Sequence, residues 1–121
     1  MQFGYDVYQE NCPTRHVLDR LGDKWALLIL DRLEGEPVRF NHLRRDITGI
    51  SQKVLSQTLK KLERDGLISR TVFPTVPVTV EYALTPLGRT LGETVNLLAH
   101  WAEKHMDTVL AAQQAYDARK P

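Results

Sequence analysis

Five side chains in one short stretch carry the hydrogen-bonding repertoire needed to read polar edges: Gln52, Lys53, Ser56, Gln57 and Lys60. A glutamine amide presents donor and acceptor side by side and pairs bidentately with adenine, a lysine ammonium donates to guanine N7 or O6, and serine serves either kind of edge. Each well-placed pairing contributes roughly 1–3 kcal/mol of discrimination between bases. These residues sit inside a basic segment. From Arg39 to Arg70, eight cations (Arg39, Arg44, Arg45, Lys53, Lys60, Lys61, Arg64, Arg70) stand against three carboxylates (Asp46, Glu63, Asp65), a local +5. Residues 1–38 sum to −3 and residues 71–121 to −1, in a chain whose formal net charge is +1. A basic patch on a nearly neutral background implies a surface for a polyanion.

The element that must position the five readers is a helix beginning after Ile50. Leu59 and Leu62, with Val54 or Leu55, form its inward stripe, which turns the five polar residues to solvent on one contiguous face, starting at the end that enters a major groove. Ser51 is suited to cap it, Gly66 to supply the left-handed residue beyond its end, and Thr48-Gly49 to make the tight turn before it. A short helix after Phe40 precedes that turn, with Leu43 and Ile47 inward and Arg44 and Arg45 outward. Earlier still, Pro13 opens a helix carrying Val17, Leu18 and Leu21, stopped by Gly22. Asp23 caps a further helix with Trp25, Leu28, Ile29 and Leu33 as its apolar stripe, ended by Gly35 and Pro37.

After Gly66 the apolar period changes. Residues 67–73 are β-rich, Pro74–Pro77 makes a turn, and residues 78–84 alternate again, which reads as a hairpin. Helices followed by a hairpin make a winged helix-turn-helix, so the expected fold class is α+β, mainly α. Thr85-Pro86 is an N-cap with proline at the first helical position, opening a long helix to about Tyr116. Leu87, Leu91, Val95, Leu98 and Ala102 line one side of it. That seam outruns the needs of so small a core and predicts an added C-terminal dimerisation helix. Trp101, with His100, His105 and Tyr116, reads as part of the seam, the other reading being an effector pocket between two subunits.

Arg39, Arg44, Arg45, Lys61, Arg64 and Arg70, together with Ser51, flank the reading face and suit phosphate better than bases. For Lys61 and Arg64 an equal alternative is a pair of helix-surface charges beside Glu63 and Asp65. Cys12, the only cysteine, cannot form an internal disulfide; any disulfide would join two chains or a small thiol. It precedes Pro13 at the expected start of a helix, with Arg15 and His16 near in sequence, which are the conditions of a reactive thiol. Equally, cysteine commonly packs as a small hydrophobe.

Other functions are disfavoured by what the chain lacks. It has no run of 18 apolar residues, no secretory leader pattern, no Cys/His spacing for a metal, no phosphate-cradling loop and no nucleophile–base motif; Leu87-Gly88 reads as a turn or cap glycine. The expectation is a cytoplasmic protein without cofactor or metal, neither an enzyme nor a membrane protein.

Several groups of residues together resemble the HxlR-type bacterial transcription regulators: Cys12-Pro13, Gly22-Asp-Lys-Trp25, Leu28-Ile-Leu30, Arg39-Phe40-Asn41, Ile50-Ser-Gln-Lys53, Leu55, Leu59, Leu62, Asp65-Gly-Leu67, Arg70, Val80-Glu-Tyr82 and Leu84-Thr85. The correspondence spans roughly residues 10–105. The resemblance implies a homodimeric winged helix, related in architecture to MarR-type regulators, that binds promoter DNA, with dimer-building terminal helices and, in some members, an N-terminal cysteine that senses oxidants or electrophiles. A small-molecule effector is a further partner to consider. The chain departs from its relatives at the wing, where many carry a second proline and a basic residue but this chain has Val78 and Thr79; the basic anchor is expected instead from Arg70 at the wing's base. The organisation expected is one domain over residues 1–121, with a DNA-binding core at about 13–85 and dimerisation elements at about 1–21 and 86–117. A winged helix serving as a protein-interaction module, without specific DNA binding, is the rival function.

Overall fold

In the computed structural model, which describes residues 4–119, the chain order is α1 (Thr14–Leu21), α2 (Lys24–Arg32), β1 (Val38–Arg39), α3 (Phe40–Asp46), α4 (Gln52–Arg64), β2 (Ile68–Phe73), β3 (Thr79–Leu84) and α5 (Pro86–Arg119). The strands form one antiparallel sheet in the order β1-β3-β2. The hairpin register runs from Ile68 opposite Leu84 to Phe73 opposite Thr79, and β1 joins through Val38 opposite Tyr82. This is the mainly helical winged helix-turn-helix that the sequence pattern predicts. The first three residues of the expected N-terminal dimerisation element lie outside the described residues.

The helix boundaries have identifiable causes. The Asp23 carboxylate accepts the Trp25 N–H at 2.9 Å, and the Ser51 hydroxyl oxygen accepts the Val54 N–H at 3.1 Å, each satisfying an otherwise orphan donor. α4 closes at Gly66, whose φ of +77° costs glycine nothing. Paired bonds from Leu67 N–H to the Leu62 carbonyl and from Gly66 N–H to the Glu63 carbonyl then satisfy the last turn. α5 starts at Pro86 as its N-cap expectation requires, with Thr85 Oγ1 accepting the Gly88 N–H at 3.0 Å. Gly49, at φ +91°, makes the turn between α3 and α4.

A single apolar core lies where α2, α4, the sheet and the first part of α5 meet, centred on Ile29, Leu30, Leu43, Leu55, Leu59 and Leu62. It resolves the choice on α4 in favour of Leu55, with Val54 only partly buried. It also corrects the stripe expected on α2. Leu28 is exposed, and Ala26 and Leu30 take the inward positions beside Ile29 and Leu33, because helical spacing from Ile29 selects Ala26 and Leu33 before Leu28. Val17 and Leu18 on α1 are likewise exposed, and no residue of α1 is buried.

Gly88 is not a turn or cap glycine. It lies buried inside α5, against the backbone of Leu67, where an added Cβ would collide with the Leu67 carbonyl. Glycine here allows the helix to approach the end of α4 at backbone range. Gly88→Ala should therefore lower the unfolding free energy by about 1–3 kcal/mol, the usual cost of overpacking. Gly22→Ala, whose Cβ would meet nothing closer than the Leu18 carbonyl at 3.4 Å, serves as the milder control, with both read by urea denaturation.

Candidate nucleic-acid interface

α4 rests on Leu55, Leu59 and Leu62, all buried, and turns Gln52, Lys53, Gln57 and Lys60 outward as exposed side chains. At about 100° per residue, these and Ser56 span an arc of roughly 140° on the side away from the core. Ser56 alone of the five is half-buried, because it faces the hairpin: together with Lys60, Glu63, Arg70 and Tyr82 it lines a groove of about 390 Å³ between α4 and the sheet. The helix is held along its length. Besides the Ser51 cap, the buried Thr58 hydroxyl donates to the Val54 carbonyl at 2.7 Å, so no polar atom competes with the outer face.

The electrostatics of the segment follow from where two of its three carboxylates, Asp46 and Asp65, go. Asp46 accepts from the Arg32 guanidinium at 2.9 Å and lies 3.5 Å from Arg45 Nε. Asp65 is taken by Arg20 of α1 at 2.7 Å. Both principal partners come from outside the basic stretch. Among the described residues, no ion pair engages Arg39, Arg44, Lys53, Lys60, Lys61, Arg64 or Arg70. The alternative weighed for Lys61 and Arg64, surface pairing beside Glu63 and Asp65, forms no ion pair among the described residues, since Asp65 is tethered to α1; Arg45 is the one expected phosphate cation with a carboxylate partner. The Arg32 hydrogen bond holds the Asp46 carboxyl below the ordinary carboxylate range, aided by the Arg45 charge.

The remaining expected residues are spread over α3, both ends of α4 and the sheet. Arg44 and Arg45 are exposed on α3 and Ser51 is exposed at the start of α4. Arg64 lies about 18 Å along the axis from Gln52 and lines a groove with His16, Val17, Arg20 and Asp65, facing α1. Arg70 stands on β2 opposite Tyr82, at the wing's base as expected. The wing tip carries no charge: Val76 is fully exposed and Val78 largely so, and the Thr75 hydroxyl ties the turn by donating to the Pro77 carbonyl at 2.8 Å. Arg39 shares a groove of about 360 Å³ with Phe73, Thr75, Val76, Pro77, Thr79 and Glu81 beside that tip. No local pattern announces this, since Arg39 reaches the wing only through the pairing of β1 with β3.

Cys12 is buried, with Sγ 3.1 Å from the Thr14 hydroxyl. That hydroxyl and the Thr14 backbone N–H, at the start of α1, lower its thiol from the ordinary cysteine value. Arg15 plays no part in this. Its guanidinium donates to the Val7 and Tyr8 carbonyls at 2.9 and 2.8 Å, clamping the segment before α1. On α5, Leu87, Leu98, Trp101 and Ala102 are exposed, whereas Leu91 is half-buried and Val95 is only 3% exposed, packed in the chain's own core. Trp101 stacks on His105 with centroids 4.9 Å apart. No group of three potential metal ligands occurs among the described residues, and none of their helices is long and apolar enough to cross a membrane.

Residues 20–109 match the family described as HxlR-like helix-turn-helix. The chain belongs to that family. It is 44% identical over 108 residues to YtfH of Escherichia coli (strain K12), described as an uncharacterized HTH-type transcriptional regulator, across 89% of this chain and 86% of that protein. The solved ytfH structure from Salmonella typhimurium superposes with a TM-score of 0.86 at 42% identity, covering 91% of this chain and 98% of that one. The redox regulator HypR in its oxidized form gives a TM-score of 0.71 at 39% identity, covering 77% and 96%. The HxlR-like protein described here is a transcriptional regulator and not an enzyme.

The depressed Asp46 carboxyl makes stability at this site pH-dependent. A carboxyl lower in the folded than in the unfolded state stabilises at pH values above its unfolded value, and that contribution is lost as pH falls through the folded value. Asp46→Asn should thus be less stable than the parent near neutrality, and the difference should shrink through the acid range. Urea midpoints of both proteins across pH test this.

Proposed function

We propose that the protein acts as a homodimer on double-stranded promoter DNA in the cytoplasm, laying α4 of each protomer in successive major grooves of a pseudo-palindromic operator. The observation that carries this reading is the outward polar arc of α4 beside five further cations, Arg39, Arg44, Lys61, Arg64 and Arg70, without a carboxylate partner among the described residues. Uncompensated cations suit phosphate, whose neutralisation releases counterions, while the arc supplies groups that distinguish bases. In this reading Gln52, Lys53, Ser56, Gln57 and Lys60 read base edges, and Arg39, Arg44, Arg45, Ser51, Lys61 and Arg70 hold the frame. Arg64, facing α1, takes the outermost phosphate position. Half-sites stand about 34–36 Å apart, or a multiple of that.

The dimer is supported by apolar surface that the single chain leaves uncovered, including Val17 and Leu18 on α1 and Leu97, Leu98, Trp101 and Leu110 on α5. Val95, occupied in the core, does not contribute to the seam. Control by oxidants or electrophiles through Cys12 is supported by its Thr14 hydrogen bonds at the head of α1, and by the kinship with a redox regulator, HypR.

Selection of bound duplexes from a random pool should yield a two-fold-related sequence. Gln57→Ala or Lys53→Ala should relax preference at individual positions by about 1–3 kcal/mol, while Arg44→Ala should weaken all duplexes alike. Binding that ignores salt and leaves every duplex equivalent would instead favour a protein-interaction module. Cys12→Ser should retain operator binding and lose the change in affinity that a thiol oxidant or quinone produces in the parent, as read by anisotropy; an unaltered response in the variant rules the thiol out as sensor.

A further inference from the structure

Lys24 lies outside the basic segment and opens α2 directly after the Asp23 cap. Its Nζ sits 4.7 Å from the centroid of the Trp25 ring. The far edge of the same indole, Cη2, comes within 3.9 Å of the point where a Cβ on Gly49 would stand. The half-buried indole is therefore a slab with the Lys24 ammonium over its face and the α3–α4 turn against its edge. Gly49 is two residues before the cap of α4, so this ammonium is held near the end of α4 from which base edges are read.

Two features separate Lys24 from an ordinary surface lysine. An exposed lysine stem has several rotatable bonds and loses much freedom when its ammonium is localised, whereas an ammonium already confined over an aromatic face has lost part of it in advance. Nor is the charge spent: among the described residues no ion pair engages Lys24, and a carboxylate oxygen of its neighbour Asp23 accepts the Trp25 N–H. An uncompensated cation resting on an aromatic face beside the approach to a groove is suited to the phosphates that border it.

We infer that Lys24, stacked on Trp25 against the turn that introduces α4, is a phosphate contact of each protomer. The assignment rests on the regulator reading and extends the phosphate-binding surface from α3 and α4 to the head of α2. Trp25 is then a positioning residue, setting the turn and the ammonium with one ring.

The test uses the full chain and a mixed-sequence duplex of about 30 base pairs, three helical turns, titrated by fluorescence anisotropy over a salt series. Lys24→Gln should reduce the slope of log affinity against log salt by about 0.9 for each protomer engaged, and lower affinity for all sequences by the same factor. Lys24→Arg, which keeps the charge and stacks well, should restore the parental slope. Loss of a merely structural cation–π contact would shift the thermal midpoint and leave the slope alone. A steep parental slope retained in Lys24→Gln overturns the Lys24 assignment and leaves the regulator reading standing. A parent whose duplex binding does not depend on salt overturns both.

Discussion

The architecture depends on one junction, where the end of α4, the root of the hairpin and the start of α5 share their backbone groups. The Thr85 hydroxyl donates to the Gly66 carbonyl at 2.6 Å and accepts the Gly88 N–H at 3.0 Å, so one side chain satisfies two helix ends. The Thr85 N–H reaches the Leu67 carbonyl at 3.1 Å, the same carbonyl that excludes a side chain at Gly88. These bonds share Thr85 and meet where two helices and the hairpin join, so a change at one is felt by the others. The outer arc of α4 and the axis of α5 are consequently fixed to each other.

Charge on the same face is managed by a comparable economy. Each of Asp46 and Asp65 would reduce the positive potential of the segment if it paired with a neighbour in the segment. Arg32 and Arg20, from α2 and α1, are their principal partners, with Arg45 adding only a longer contact to Asp46. These pairs are partly exposed and contribute little stability singly. Their larger effect is on availability, since the arginines and lysines between them are left without carboxylate partners among the described residues.

Much of this was legible in the chain because it rests on local chemistry. Asp23, Ser51, Gly49, Gly66 and the Thr85-Pro86 pair announce helix ends through side-chain oxygens and backbone preferences that act within four residues, and all perform as expected. The outward polar face of α4 followed from its apolar spacing for the same reason. What was not legible depends on partners distant in sequence. On α2, spacing from Ile29 already favours Ala26 and Leu33 over Leu28, but that Leu30 joins them depends on α4 and α5, against which α2 packs. Gly88 resembled a cap because the carbonyl it must clear lies 21 positions earlier. The partners of Asp46 and Asp65, the reach of Arg39 to the wing and the clamp of Arg15 on the N-terminal segment likewise appear only once the chain is folded.

The same junction has a consequence for the hairpin. Ile68 and Leu84 face each other at its root, and the Thr85–Gly66 bond closes the base from below, so the chain departs and returns at nearly one point. A loop pinned in this way can change in length or content at small entropic cost, and its far end bears little on what lies beneath. The uncharged tip around Val76 is then a free parameter of the scaffold: it can be exchanged without retuning the platform that carries α4 and α5.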